Sequence, residues 1–357
     1  MNDTLPTLHV VTASQRRGAE VFASDLVGAL ADQGHPGRLA ALTAGPGGAN
    51  PLGALVLGSA PFSPGTLRAL RSAAGAAGAV VAHGSKTLPA AALALPGSRT
   101  PFVYRSIGDP QAWSGSGLRR VRTAALLKRA ARVVALWPGA AEVLVRVHGV
   151  PAGKVTVIPN GVPADRFPLA DDSARAAARV ELGLPAGEPL VVYLGALSPE
   201  KQVGDALAAL AGLPGVHLAV VGGGPERAAL EARAGALGVT GRVHFTGPVD
   251  RPQAALAAAD VVVLPSRTEG MPAVLVEAGL TGRPAVATAV GGVPEIVRPD
   301  ETGALVPPGD VPALAAALRT TLADAPTLGA AARKHCLTHF DMPVLAGQWA
   351  ELLATTQ

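Results

Sequence analysis

The sequence predicts an α/β protein built as two doubly wound halves, each a parallel sheet covered by helices on both faces. Three observations carry this. The chain opens with an apolar strand, "LHVVTA", a polar loop holding a glycine, "SQRRG", and an amphipathic run, "AEVFASDLVGALADQ", ended by Gly34; that order is the β-loop-α unit of a parallel sheet. Near the middle, "VTVIPNGVPADRFPLADD" breaks the pattern with prolines and an Asn-Gly pair, and a second alternation begins beyond it. A length of 357 residues also exceeds what one hydrophobic core usually serves.

In the first half the strands read at "LHVVTA", "GALVLG", "GAVVAHG", "PFVYRS" and "ARVVALW", with Ala-rich helical segments between them. Short unbroken apolar runs of this kind suit strands buried on both faces. In the second half "PLVVYLG", "VHLAVVGGGP", "RVHFTG", "VVVLPS" and "PAVATAVGG" alternate with helical "GDALAALAGL", "ERAALEARAGALG", "RPQAALAAAD" and "AVLVEAGLTG". The expected domains are residues 1–165 and 166–335. The tail, 336–357, is helical over "FDMPVLAGQWAELLATTQ" and is expected to cross back onto the first domain.

Composition excludes several classes. Cys336 is the one cysteine, which rules out an intramolecular disulfide and a thiolate metal cluster. No stretch approaches the roughly 20 apolar residues of a membrane span, and "MNDTLPTLHVV" lacks the layout of a signal peptide, so the expectation is a cytoplasmic protein. The densest basic segment, "LRRVRTAALLKRAARVV", sets Arg119, Arg120, Arg122, Lys128, Arg129 and Arg132 on a helix, spread around much of its circumference. That reads as a solvated face; the alternative is a weak peripheral contact with an anionic membrane at its inner face. Aromatic residues are 3% of the chain, too few for the stacking platforms of a nucleic-acid binder.

In open α/β sheets ligands sit at the carboxyl ends of strands, and with two such domains the shared cleft is the expected site. Three loops of the second half carry suitable chemistry. In "YLGALSPEKQVGDAL", Lys201 precedes a helix and can reach an anion, although a lone loop lysine is as readily solvated. In "VVGGGPER", Gly222, Gly223 and Gly224 let backbone approach a ligand, or simply make a turn. The third loop, "SRTEGMPAVLVEAGL", holds Glu269 and Glu277 around an apolar run. Pro272 is expected as the first helical residue, with the N–H groups of Met271, Ala273 and Val274 open to a phosphate. Side chains on a helix lean toward its N-terminus, so Glu277 can meet the same ligand, where a ribose diol would supply donors to its carboxylate. Glu269, in the turn, would meet a sugar. The plain alternative makes Glu269 an exposed turn residue and Glu277 the partner of an arginine.

Together these segments resemble the retaining glycosyltransferases of family 4 (glycosyltransferase group 1), whose E-x7-E signature "EGMPAVLVEA" matches. The likeness also covers "RGAEVFASDLVGALADQGH", "VVAHGS", "VTVIPNGV", "VVGGGPER", "VHFTGPV", "ADVVVLPSRTEGMP" and "AVGGVPEIV", in the family's order along nearly the whole chain. It implies the GT-B fold, two Rossmann-like domains facing across a cleft, the N-terminal one for the acceptor and the C-terminal one for a nucleotide-sugar donor. By position, Glu269 matches the glutamate on donor-sugar hydroxyls, Glu277 the ribose binder and Lys201 the diphosphate lysine. Gly18 matches the N-terminal phosphate loop, and His83 the histidine near the sugar and the reacting bond. The backbone of Gly270, Met271 and Pro272, with Gly195 and Gly223, would line the sugar-diphosphate pocket, and Phe245 and Gly247 the base. Arg105 and Asp109, after "PFVYRS", would face the acceptor.

One departure stands out. The family usually has Gly-Arg before its Lys-Gly; here Ala196 follows Gly195 and Gln202 follows Lys201. A charge-assisted contact is worth about 1.5–3 kcal/mol, so on the order of a tenfold to hundredfold loss of rate follows unless Arg17 or Arg267 substitutes. Gly18 also stands alone where the family more often has two glycines. The resemblance implies transfer from a UDP- or GDP-sugar to a glycan, lipid-linked or small-molecule acceptor in glycan biosynthesis, with front-face displacement, an α-linkage and no metal. Hinge closure between the domains is expected with it. Two alternatives remain at this point: an epimerase or hydrolase using His83 or Asp109 as acid and base, and a nucleotide-sugar-binding protein that lost turnover with the arginine.

Overall fold

In the computed structural model, which describes residues 5–111 and 117–356, the apolar runs pair as parallel strands in two separate sheets. The first holds β1 (Thr7–Ser14), β2 (Gly37–Ala44), β3 (Leu55–Val56), β4 (Ala79–His83), β5 (Phe102–Arg105), β6 (Arg132–Ala135) and β7 (Val155–Val157). Their spatial order is β3-β2-β1-β4-β5-β6-β7. The second holds β8 (Leu190–Leu194), β9 (His217–Val221), β10 (Val243–Gly247), β11 (Val261–Leu264), β12 (Ala285–Thr288) and β13 (Gly303–Val306), in the order β10-β9-β8-β11-β12-β13. In both sheets the order reverses beside the first strand, between β1 and β4 and between β8 and β11. Such a switch point splays the loops at the carboxyl edge apart and leaves room for a ligand there.

The chain divides into two compact units, residues 1–162 with 342–357, and residues 163–341. Residue 335 lies inside the helix Ala325–His339, so the chain leaves the second unit only after that helix, between Asp341 and Met342. The helix Met342–Ala354 belongs to the first unit, where Met342, Leu345, Trp349, Leu352 and Leu353 pack with Phe22, Leu26 and Leu30 of the helix Gly18–Asp32 over Val81, Val103 and Val134 of the sheet. Each large apolar side chain buried this way contributes about 1.5–3 kcal/mol, which is what holds the last helix to a sheet so distant in sequence.

Strands β2, β7 and β13 were not marked by the apolar periodicity. In β2, "GRLAALTA", the alanines are helix formers that pairing along β1 overrides. "GALVLG" forms only the two-residue edge strand β3, with Leu55 and Val56 exposed. Arg129, the C-cap residue, and Arg132 do not share the helix with the other basic residues; Arg132 lies beyond it. It opens β6 and donates from Nη1 to the Gly153 carbonyl at 2.8 Å, while the helix Leu118–Lys128 buries Leu127 and exposes Arg119, Arg120, Arg122 and Lys128. Among the described residues no helix is long and apolar enough to cross a membrane.

Candidate functional site

In the second unit, β8 and β11 are neighbours, and their carboxyl-end loops bring two residues far apart in sequence together. Lys201, in the turn Pro199–Lys201, donates from Nζ to Oε1 of Glu269 at 2.7 Å. The same oxygen accepts from Ser266 Oγ at 2.6 Å. Oε2 takes no hydrogen bond among the described residues, so the carboxylate keeps one acceptor edge for a ligand hydroxyl.

The backbone around this pair is fixed from both sides. Arg267 N–H donates to the Glu200 carbonyl at 2.8 Å, tying the glutamate loop to the lysine turn. Thr288, at the end of β12, donates from Oγ1 to the Ser266 carbonyl at 2.5 Å, and Gly292 N–H donates to the Gly270 carbonyl at 2.7 Å. Gly291 has φ +55°, and a Cβ there would fall 2.0 Å from the Glu269 carbonyl oxygen. Only glycine lets the two loops approach this closely.

Pro272 is not the first helical residue. At φ −74° and ψ 113° it is the extended N-cap of the helix Ala273–Leu280, because its carbonyl must turn to accept from Leu275 N–H at 3.2 Å. The helix therefore offers the N–H groups of Ala273 and Val274, which have no hydrogen-bond partner among the described residues. Glu277 sits half-buried a little over one turn into this helix, between buried Val276 and Ala278.

Three further loops lie at the same edge. Gly195 N–H donates to the Val221 carbonyl at 3.0 Å, Leu197 N–H to Gly223 at 2.9 Å, and Gly222 N–H to Gly247 at 2.9 Å. Gly222, at φ +138°, would place a Cβ 1.9 Å from the Gly195 carbonyl oxygen, so packing alone requires this glycine. Gly223 differs, since nothing lies nearer to its Cβ position than Pro248 at 3.7 Å. Phe245 carries the Arg227 guanidinium 4.7 Å over its ring centroid.

In the first unit, Gly18 starts the helix that follows β1, and an added Cβ would meet nothing within 4 Å. His83 is not at an open edge. It is 2% exposed, at the end of β4, within a buried row of side chains from adjacent strands. Thr7 Oγ1 lies 3.1 Å from His9 Nε2, His9 Nδ1 lies 3.1 Å from His83 Nε2, and Arg105 Nη1 lies 3.5 Å from His83 Nδ1. Arg105 is buried as well; it donates from Nη2 to Asn160 Oδ1 and stacks 3.7 Å over the Phe22 ring. Its reach is thus inward. Asp109 closes a turn by accepting from Gln111 N–H at 2.8 Å.

Burial sets the protonation of this row. It lowers His9 to about 3 and holds His83 well below the ordinary histidine value, with the charges of His9 and Arg105 adding to the effect. It also lowers Arg105 to about 9, still a cation at neutral pH. Glu20, buried in the first turn of the helix Gly18–Asp32, is raised by burial against the opposing pull of Arg17 and Arg105. Sequence reading missed Ser266, Thr288, His9, Asn160 and Glu20. Ser266 had a signal, a hydroxyl three residues before a loop carboxylate; the partners contributed by other strands had none.

The Glycosyltransferase Family 4 model matches residues 16–166, and the model of glycosyl transferases group 1 matches residues 174–335. A D-inositol 3-phosphate glycosyltransferase of Mycobacterium avium is 36% identical over 273 residues, 72% of this chain and 60% of that protein. The Mycobacterium tuberculosis protein of the same name is 35% identical over 225 residues, 60% of this chain and 46% of its own. This chain thus spans about half to three-fifths of the length of these relatives. Among solved structures, Anabaena HepE in complex with UDP and glucose superposes with a TM-score of 0.85 at 25% identity, covering 98% of this chain and 100% of that one. The sucrose-phosphate synthase of Thermosynechococcus elongatus gives 0.81 at 25% identity, covering 98% of each. With both family models matched in order and a GT-B fold in common with these structures, the chain belongs to the group 1, family 4 glycosyltransferases.

Proposed function

We propose that the protein is a retaining glycosyltransferase that moves a sugar from a nucleotide-diphosphate sugar to an acceptor hydroxyl, forming an α-glycosidic bond without a metal ion. The observation that carries this reading is the Lys201–Glu269 pair beside the N-terminus of the helix Ala273–Leu280. A cation and open backbone N–H groups suit a diphosphate, and a carboxylate with one unused edge suits a sugar hydroxyl. HepE holds UDP and glucose, and the mycobacterial relatives are named for transfer to an inositol phosphate, which is the same class of chemistry.

In this reading the diphosphate meets Lys201 and the N–H groups of Ala273 and Val274. Glu277 takes the ribose hydroxyls. Glu269 takes the sugar, with Gly270, Met271 and Pro272 backbone alongside. Gly195, Gly223, Phe245 and Gly247 border the base and diphosphate, the base being uracil or guanine. The bond from C1 to the diphosphate oxygen breaks and the acceptor oxygen bonds C1 on the same face, while the departing phosphate oxygen takes the acceptor proton. No base from the protein is required, and Nδ1 of His83, whose contact with Arg105 is a long 3.5 Å, serves instead as an acceptor for a sugar hydroxyl. The first unit, including the Asp109 loop, takes the acceptor.

The test is incubation with UDP- and GDP-sugars, with and without acceptor, followed by proton NMR of the product's anomeric centre. An α-linked product formed only with acceptor, and undiminished by a chelator, supports the reading. A β-product from an α-linked donor overturns retention, an altered sugar from donor alone makes the protein an epimerase or hydrolase, and tight binding without product makes it a binding protein.

A further inference from the structure

The buried row Thr7–His9–His83–Arg105 has a direction. A guanidinium only donates, so the Nδ1 of His83 facing Arg105 must be an acceptor, at 3.5 Å. The single proton of the neutral ring is then on Nε2, which donates to His9 Nδ1 at 3.1 Å. His9 in turn carries its proton on Nε2 and donates to Thr7 Oγ1 at 3.1 Å. The strand register enforces the order, since His83 pairs with Arg105 across β4 and β5, and His9 lies on the adjoining β1. The rings of His9 and His83 lie side by side, 22° from coplanar with centroids 5.4 Å apart, as an in-line hydrogen bond requires, and Trp349 of the last helix is 6.3 Å from His83.

We propose that His9 is a positioning residue: together with Arg105 it selects the Nε2–H tautomer of His83 and so reserves Nδ1 of His83 as the acceptor for a hydroxyl of the transferred sugar. This rests on the reading of His83 as a sugar contact. Both contacts of the His83 ring are buried, and at 3.5 Å against 3.1 Å the one with Arg105 is the longer and the weaker, so it is the one a hydroxyl would replace. The other groups around the ring are consistent with a neutral imidazole. Phe22 and Trp349 are uncharged, Arg105 repels a proton, and the carboxylate of Glu20 interacts with the Arg105 charge.

Two measurements on the full chain test it. In nitrogen-15 NMR of histidine-labelled protein, His83 should keep its proton on Nε2 from about pH 5.5 to 8; a proton on Nδ1 overturns the proposal, whether or not the enzyme is active. In kinetics, His9→Asn retains an acceptor near the position of Nδ1 and His9→Leu removes it. The leucine variant should raise donor KM about tenfold, the loss of one hydrogen bond to the sugar, and the asparagine variant should restore it. Equal behaviour of the two variants, at wild-type rate or with matched losses of Tm and activity, means a structural role only. If wild-type protein transfers no sugar, the functional reading falls while the NMR result still decides the tautomer.

Discussion

Lys201 Nζ and Glu269 Oε1 lie 2.7 Å apart, and Ser266 Oγ reaches the same oxygen at 2.6 Å. The residue proposed to hold the diphosphate and the one proposed to hold the sugar therefore hold each other in this structure. A bound donor would take Lys201 by its phosphates and Glu269 by its hydroxyls, so neither group waits unpaired in water.

Glu269→Gln keeps the shape and an acceptor for Ser266 but removes the charge. We expect kcat/KM to fall by on the order of a hundredfold or more, the scale on which lost electrostatic stabilisation is felt, with a Tm change of only a few degrees. Steady-state kinetics alongside thermal unfolding checks this. A variant with near wild-type turnover would remove Glu269 from the sugar site.

The missing arginine at Ala196 leads to Arg267, an exposed residue whose own backbone is tied to the Lys201 turn through the Glu200 carbonyl at 2.8 Å. Arg267→Ala should lower kcat/KM about tenfold to hundredfold. Ala196 is exposed, so Ala196→Arg has room for its side chain and should recover part of that loss in the Arg267→Ala background. No loss in Arg267→Ala would turn attention to Arg17.

Two glycines should respond in opposite ways. Gly222→Ala sets a Cβ 1.9 Å from the Gly195 carbonyl at φ +138° and should destabilise the second unit by several degrees of Tm. Gly18→Ala meets nothing within 4 Å and should leave Tm unchanged. If Gly18 backbone approaches the diphosphate, its alanine variant should nonetheless raise donor KM. Unfolding curves paired with donor titrations separate the two effects.

Acid should weaken the first unit. His9 is lowered to about 3 and His83 is lowered too, so between the ordinary histidine value of 6.5 and about 3 the unfolded chain binds protons that the folded chain does not. Stability is then complete above about pH 6.5 and falls as pH drops, with a slope of up to about 1.4 kcal/mol per pH unit for each histidine. Urea midpoints compared between neutral and mildly acid buffer should show this fall, and His9→Asn should reduce it.

How far the sequence reveals the molecule depends on the range of each interaction. Strands such as "VVVLPS" and helices such as "AEVFASDLVGALADQ" declare themselves by local pattern, and the loop holding Glu269 and Glu277 follows from its neighbours in the chain. Strand β2 did not, because its alanines become a strand only through pairing with β1. The burial of His83 and Arg105 was equally illegible, since it depends on Trp349 and Phe22 arriving from the two ends of the first unit's sequence. Pro272 stands one position before the helix because its carbonyl turns to accept from Leu275 N–H, a backbone detail that no residue pattern announces.

The central claim is that an activated sugar's diphosphate binds at Lys201 and the N-terminus of the helix Ala273–Leu280. A crystal structure with a bound UDP- or GDP-sugar tests it most directly. The account predicts diphosphate oxygens within hydrogen-bonding distance of Lys201 Nζ and the Ala273 and Val274 N–H groups, with ribose on Glu277 and the Lys201–Glu269 contact opened. A nucleotide sugar bound elsewhere, with that contact intact, would contradict it.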